Sequence, residues 1–132
     1  MDKKFLSSAA ILGALSVIFG AFGAHALKAR LEPDQLQIFE TGVRYQMYTA
    51  LAMLGLAGFS EKLSCKYLNY TFWCFLVGIS FFSGSIYLLS MRTILGIENL
   101  TSILGPITPM GGLLLILGWV FIFISTFKLK SN

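Results

Sequence analysis

His25 is the single histidine of the chain and stands in the string Gly20-Ala21-Phe22-Gly23-Ala24-His25-Ala26-Leu27, where a long apolar stretch runs out. Imidazole titrates near neutral pH and binds metals, so a ring at a membrane boundary invites proton handling, ligand binding or catalysis. Glu40 and Arg44, four residues apart, add a carboxylate and a guanidinium on one helical face and are expected to pair there. Nothing else completes a reaction. An acyl-transfer site needs a nucleophile with a base and an orienting partner, and no serine, threonine or cysteine stands in such a pattern. One histidine with scattered Glu32, Asp34 and Glu40 lacks metal-ligand spacing, and there is no Walker loop, dinucleotide fingerprint or paired haem ligand. Cys65 and Cys74 form neither a CxxC motif nor a disulfide framework. No catalytic residue, cofactor or metal is therefore expected, and a structural hydrogen bond is the favoured role for His25.

The elements that position these residues belong to a membrane. Of 132 residues, 56% are hydrophobic and 12% charged, where a soluble domain is about one quarter charged. A bilayer span needs roughly 20 mostly apolar residues. Uncharged runs fit spans over residues 5–27, 38–59, 69–90 and 105–127, the second starting upstream of its apolar run and carrying Glu40 and Arg44. The expectation is an all-α, integral membrane, antiparallel four-transmembrane-helix bundle forming a single domain over residues 1–132. Lys3-Lys4, the apolar core and Ala24-His25-Ala26 imitate a signal peptide, but the run exceeds a usual h-region and a retained first helix is the better expectation.

Lys3, Lys4, Lys62, Lys66, Lys128 and Lys130 fall on one side of such a bundle, against Lys28, Arg30, Arg44 and Arg92 on the other. By the positive-inside rule both termini are expected to face the cytoplasm. The net charge of +4 is scattered over helix ends, which argues against nucleic acid as a partner. Glu32-Pro33-Asp34 reads as a helix start, and Leu36, Phe39, Val43 and Met47 recur at helical spacing. A short amphipathic helical segment is therefore expected before helix 2. The Gly105-Pro106-Ile107-Thr108-Pro109 string predicts a kinked or irregular first turn for the fourth helix. Small residues four apart, Ala9 and Gly13, then Ser16, Gly20 and Ala24, then Ser80 and Gly84, read as seams where helices approach closely. Trp73 and the tyrosines suit an interfacial belt, while Trp119 packs or faces lipid. The two halves share too little to argue an inverted repeat.

Taken in order, Gly20 to Leu27, Phe39-Glu40-Thr41-Gly42-Val43-Arg44-Tyr45-Gln46-Met47-Tyr48, Ser83-Gly84-Ser85-Ile86-Tyr87-Leu88-Leu89, Thr108-Pro109-Met110-Gly111-Gly112 and Gly118-Trp119 carry a resemblance over nearly the whole chain. It resembles the domain-of-unknown-function 423 family of small membrane proteins, the UPF0382 type. What the resemblance implies is a multi-pass membrane protein with no established activity, substrate or cofactor. Family members often have a histidine after the position of Tyr48, whereas this chain has Thr49, so a two-histidine site with His25 is unavailable.

Four antiparallel spans bring the end of helix one, the start of two, the end of three and the start of four to one membrane face. His25, Glu40, Arg44, Tyr45, Gln46, Ser83, Ser85, Tyr87 and Thr108 are thus expected to converge at the extracytoplasmic end. The cluster either satisfies helix ends or forms a site. The leading expectation for function is a non-enzymatic interaction or accessory subunit of a membrane complex, or a self-associating bundle. The alternative is a small transporter or channel component with its mouth at His25, Glu40 and Arg44.

Overall fold

A computed structural model describes residues 2–129; Lys130, one of the lysines counted for orientation, lies outside the described residues. Helix α1 covers Lys3–Phe22 and widens into a π turn at Gly23–Leu27; α2 covers Pro33–Phe59 and α3 Cys65–Ser90. A single-turn α4 (Arg92–Leu95) and a 3-10 turn (Glu98–Leu100) lead into α5 (Thr101–Thr126), and no strand occurs among the described residues. The described residues are all-helical, with five α-helices where four transmembrane helices were expected.

Local chemistry explains the boundaries. Asp2 caps α1 by accepting the Lys4 N–H at 3.0 Å, satisfying one of the free donors of the first turn. Glu32 is extended and Pro33 opens α2, followed by Asp34 at the positive helix end. Gly96 takes φ 67°, the left-handed conformation that stops α4. The amphipathic start of α2 is not a separate segment, because one uninterrupted helix of 27 residues runs from Pro33. Likewise α5 begins at Thr101 and continues through Pro106 and Pro109, so the fourth helix starts before position 105 and the prolines lie inside it.

Ring contacts give the directions of the helices. Phe5 meets Phe72 at 5.2 Å near the starts of α1 and α3, and Phe19 meets Tyr87 at 5.2 Å near their ends. These two helices therefore run the same way. Between them α2 returns, with Phe39 beside Gly23, Val43 beside Gly20 and Ala50 beside Gly13. Helix α5 runs against α3, from Ser85 and Thr108 at one end to Tyr67 and Phe121 at the other. The main core gathers Phe5, Met53, Ala57, Phe75 and Ile79, and a smaller one joins Leu27, Leu31 and Phe39. Outside, Ile11, Val17, Leu51, Leu113, Ile116 and Phe123 are exposed, as expected where lipid is the solvent.

Among the described residues three helical stretches are long and apolar enough to cross a membrane: Lys3–Leu27, Cys65–Ser90 and Glu98–Thr126. The expected fourth, α2, falls short because Asp34, Gln35, Gln37, Glu40, Arg44 and Gln46 dilute its apolar residues.

The small-residue seams divide. Ala9 and Ser16 are buried, and a Cβ on Gly13 or Gly20 would rest at 3.9 Å or 3.6 Å from α2. Ala24 and Ser80 are exposed, and Gly84 faces open space. The tightest seam is formed instead by Gly78, Gly111 and Gly118 between α3 and α5. A Cβ on Gly111 would stand 2.7 Å from the Gly78 oxygen and 2.9 Å from Phe81 Cβ, and one on Gly118 would strike the Phe75 ring.

Candidate functional site

The expected polar cluster splits in two. Four of its members lie outside the bundle. His25 sits in the π turn, where the Lys28 N–H reaches back five residues to the Gly23 carbonyl at 3.1 Å. Its Nδ1 lies 2.9 Å from the Ala21 carbonyl; a carbonyl only accepts, so Nδ1 carries the proton in this contact. The ring is exposed and serves its own helix end. The widened turn also seats Gly23 against the Phe39 ring, where a Cβ would stand 3.0 Å away.

Glu40 and Arg44 are likewise exposed, and they form no ion pair among the described residues. Arg44 turns toward the start of α2 and donates from Nη2 to Thr41 Oγ1 at 3.2 Å. A long side chain rooted in an apolar flank directs its charge to the interface in this way. Tyr45 is exposed and meets Tyr48 edge-on and Phe82 at a tilt, with centroids at 5.6 Å and 5.1 Å. His25, Glu40 and Arg44 thus all carry exposed side chains.

The remaining members form a hydrogen-bonded lock in which Gln46, Ser83 and Ser85 are buried and Tyr87 and Thr108 half-buried. Gln46 donates from Nε2 to the Leu12 carbonyl of α1 at 3.0 Å and accepts from the Tyr87 hydroxyl of α3 at 2.6 Å. Ser83 donates to the Gly42 carbonyl at 2.7 Å, and Ser85 and Thr108 join α3 to α5 at 2.5 Å. Gly42 is as tight as this lock requires, since a Cβ there would meet Tyr87 Cε1 at 2.8 Å and Ile86 Cγ2 at 2.9 Å. Among the described residues no buried polar side-chain atom lacks a partner. The set cross-links α1, α2, α3 and α5 where lipid supplies no drive for association.

Several contributors carry no conspicuous sequence signal. Thr71 donates to the Gly118 carbonyl at 3.3 Å, Thr49 returns its hydroxyl to the Tyr45 carbonyl, and the Leu12 carbonyl is backbone. Gly111 and Gly118, seven apart and so on one face of α5, were the available clue to the second seam. On the far side, α2 and α5 leave a cleft of about 650 Å³ floored by Phe82 and walled by Tyr45, Gly112, Ile116 and Trp119. Among the described residues no group of three or more His, Cys, Asp or Glu side chains is placed to hold a metal.

A small all-helical chain with apolar outer faces and an internally satisfied polar lock defines the class as a membrane protein. Its relatives agree. The family described as "Protein of unknown function (DUF423)" matches residues 19–112, and the chain belongs to that family. It is 40% identical over 126 residues to a UPF0382 membrane protein of Staphylococcus haemolyticus, covering 96% of this chain and 97% of the relative. It is also 40% identical over 127 residues to the UPF0382 membrane protein YwdK of Bacillus subtilis, covering 96% and 98%. A Haemophilus influenzae UPF0382 membrane protein is 35% identical over 131 residues, covering 99% of each chain. No solved structure matches the chain.

Proposed function

We propose that this protein is a non-enzymatic interaction subunit of the bacterial cytoplasmic membrane, self-associating or accessory to a larger membrane complex. In this reading all four long helices cross the bilayer and both termini are cytoplasmic. The parallel course of α1 and α3 supports a crossing α2, because the chain has to return the length of the bundle between them. The Lys and Arg bias between the two ends supports the orientation.

One observation carries the interaction role. The inward small residues of α1 are occupied by α2, yet its outer face keeps Ala10, Ala14, Val17 and Ala21 exposed in a row. Such a row lets a second helix approach closely. The polar groups inside the bundle are meanwhile engaged with one another. The test is mass measurement after gentle-detergent purification, paired with crosslinking in native membranes. A dimer, a higher oligomer or a stoichiometric partner is expected, and Ala14→Leu should weaken it. A strictly monomeric, partner-free chain in both experiments would refute the proposal.

A further inference from the structure

We propose that Lys66 and Lys128 form a site for the phosphate of an anionic phospholipid, beside the Tyr67 ring at the end of the bundle where α3 begins and α5 stops. The Lys66 ammonium lies 5.8 Å from the Tyr67 ring centroid, and the Lys128 ammonium lies 5.6 Å from the same centroid. The two lysines come from different helices: Lys66 stands in the first turn of α3 and Lys128 just past the last turn of α5. Antiparallel packing of that pair brings both charges to one ring. A tyrosine ring attracts an ammonium through its electron-rich face, but two ammonium groups at one ring repel each other. An anion shared between them replaces the repulsion with two attractions. Lysine meets phosphate as a point charge, and a phosphodiester has two unsubstituted oxygens, one for each ammonium.

Depth in the bilayer selects a lipid as the source of that phosphate. Cys65–Ser90 and Glu98–Thr126 are both long and apolar enough to span, so Lys66 and Lys128 mark the same boundary of two neighbouring helices. Tyr67, Tyr70 and Phe121 pack there with centroids at 6.2 Å, 6.2 Å and 5.3 Å, as aromatic side chains do at headgroup level. Leu117, one turn deeper than Phe121 and exposed, continues this surface in apolar form for an acyl chain. Two positive charges favour a headgroup with negative charge only, such as that of phosphatidylglycerol. The cation of an ethanolamine or choline headgroup would be repelled.

The inference goes beyond the interaction role, and native mass spectrometry of the full chain separates the two, because lipid adducts are read on monomer and oligomer peaks independently. The chain, freed of lipid in mild detergent, is mixed with equal amounts of phosphatidylglycerol, phosphatidylethanolamine and phosphatidylcholine of identical acyl chains. The phosphatidylglycerol adduct should dominate, and excess glycerol 3-phosphate should leave it in place. Lys66→Gln and Lys128→Gln should each lower that adduct about fivefold, the scale of one lysine near an anionic headgroup. Tyr67→Leu should lower it with both charges kept and helicity unchanged. Lys3→Gln combined with Lys62→Gln is the control, since it removes two charges from the same end of the bundle and should leave the adduct unchanged. An equal loss in this control and in the Lys66→Gln, Lys128→Gln double variant would reduce the effect to general charge attraction and overturn the proposal. Dominance of phosphatidylethanolamine, or displacement of the lipid by glycerol 3-phosphate, would overturn it as well.

Discussion

Substituting Gly111 by alanine tests the close seam that holds α5 to α3. The added Cβ would stand 2.7 Å from the Gly78 oxygen and 2.9 Å from Phe81 Cβ, and would overlap the Phe82 backbone nitrogen. Two of those neighbours are backbone atoms of α3, which cannot rotate away. Restoring ordinary contact at 3.4 Å requires the helices to part by roughly 0.7 Å or more. That movement pulls Thr71 from the Gly118 carbonyl and loosens the Ser85–Thr108 bond. Gly84→Ala is the control, because nothing lies within 4 Å of its Cβ position. Both substitutions share the gain in helix propensity, which cancels between them, so their difference is the overpacking cost of about 1–3 kcal/mol. Reversible unfolding in mixed micelles of mild detergent and dodecyl sulfate measures it. If Gly111→Ala unfolds at the same dodecyl sulfate fraction as Gly84→Ala, or a higher one, the packing account of the α3/α5 seam is wrong.

Three further outcomes follow from the same geometry. Tyr87→Phe removes the donor to Gln46 Oε1 and should cost about 0.6–1.7 kcal/mol, the range for hydrogen bonds between membrane helices; a double-mutant cycle with Gln46→Ala should show most of that coupling. His25→Ala removes one exposed contact to the Ala21 carbonyl and should shift stability by at most about 0.5 kcal/mol, with a larger loss pointing to a role beyond its own turn. In a Cys74→Ser background, the exposed Cys65 should react with a membrane-impermeant maleimide only from the cytoplasmic side. Arg30→Cys, with Cys65 also replaced, should react only from outside; labelling of both from one side would mean that α2 does not cross.

The unequal legibility of these features has a physical basis. Residues 5–27 and 69–90 were readable as helices because uninterrupted apolar length is a local property of the chain. The start of α5 was misplaced because proline normally marks a helix boundary, yet Pro106 and Pro109 lie within a helix that begins at Thr101. The Glu40–Arg44 pair was inferred from spacing alone, which cannot say that Thr41 competes for the guanidinium. Of the small-residue rows, Ala9 to Gly20 faces α2, but Gly84 repeats the pattern and faces nothing. Spacing defines a face of a helix without saying which way that face is turned.

The solvent, the helical class and the family resemblance are legible in the amino-acid sequence alone, all consequences of local composition and order. Only the tertiary structure decided which of the polar residues turn inward. Gln46, Ser83 and Tyr87 became a lock between helices, while His25, Glu40 and Arg44 stayed outside. The rotation of each helix about its own axis makes that division. It is set by where glycines such as Gly42 and Gly111 let neighbouring helices come close, Gly42 against the Tyr87 and Ile86 side chains and Gly111 against the α3 backbone, a property of pairs of helices that no single segment encodes.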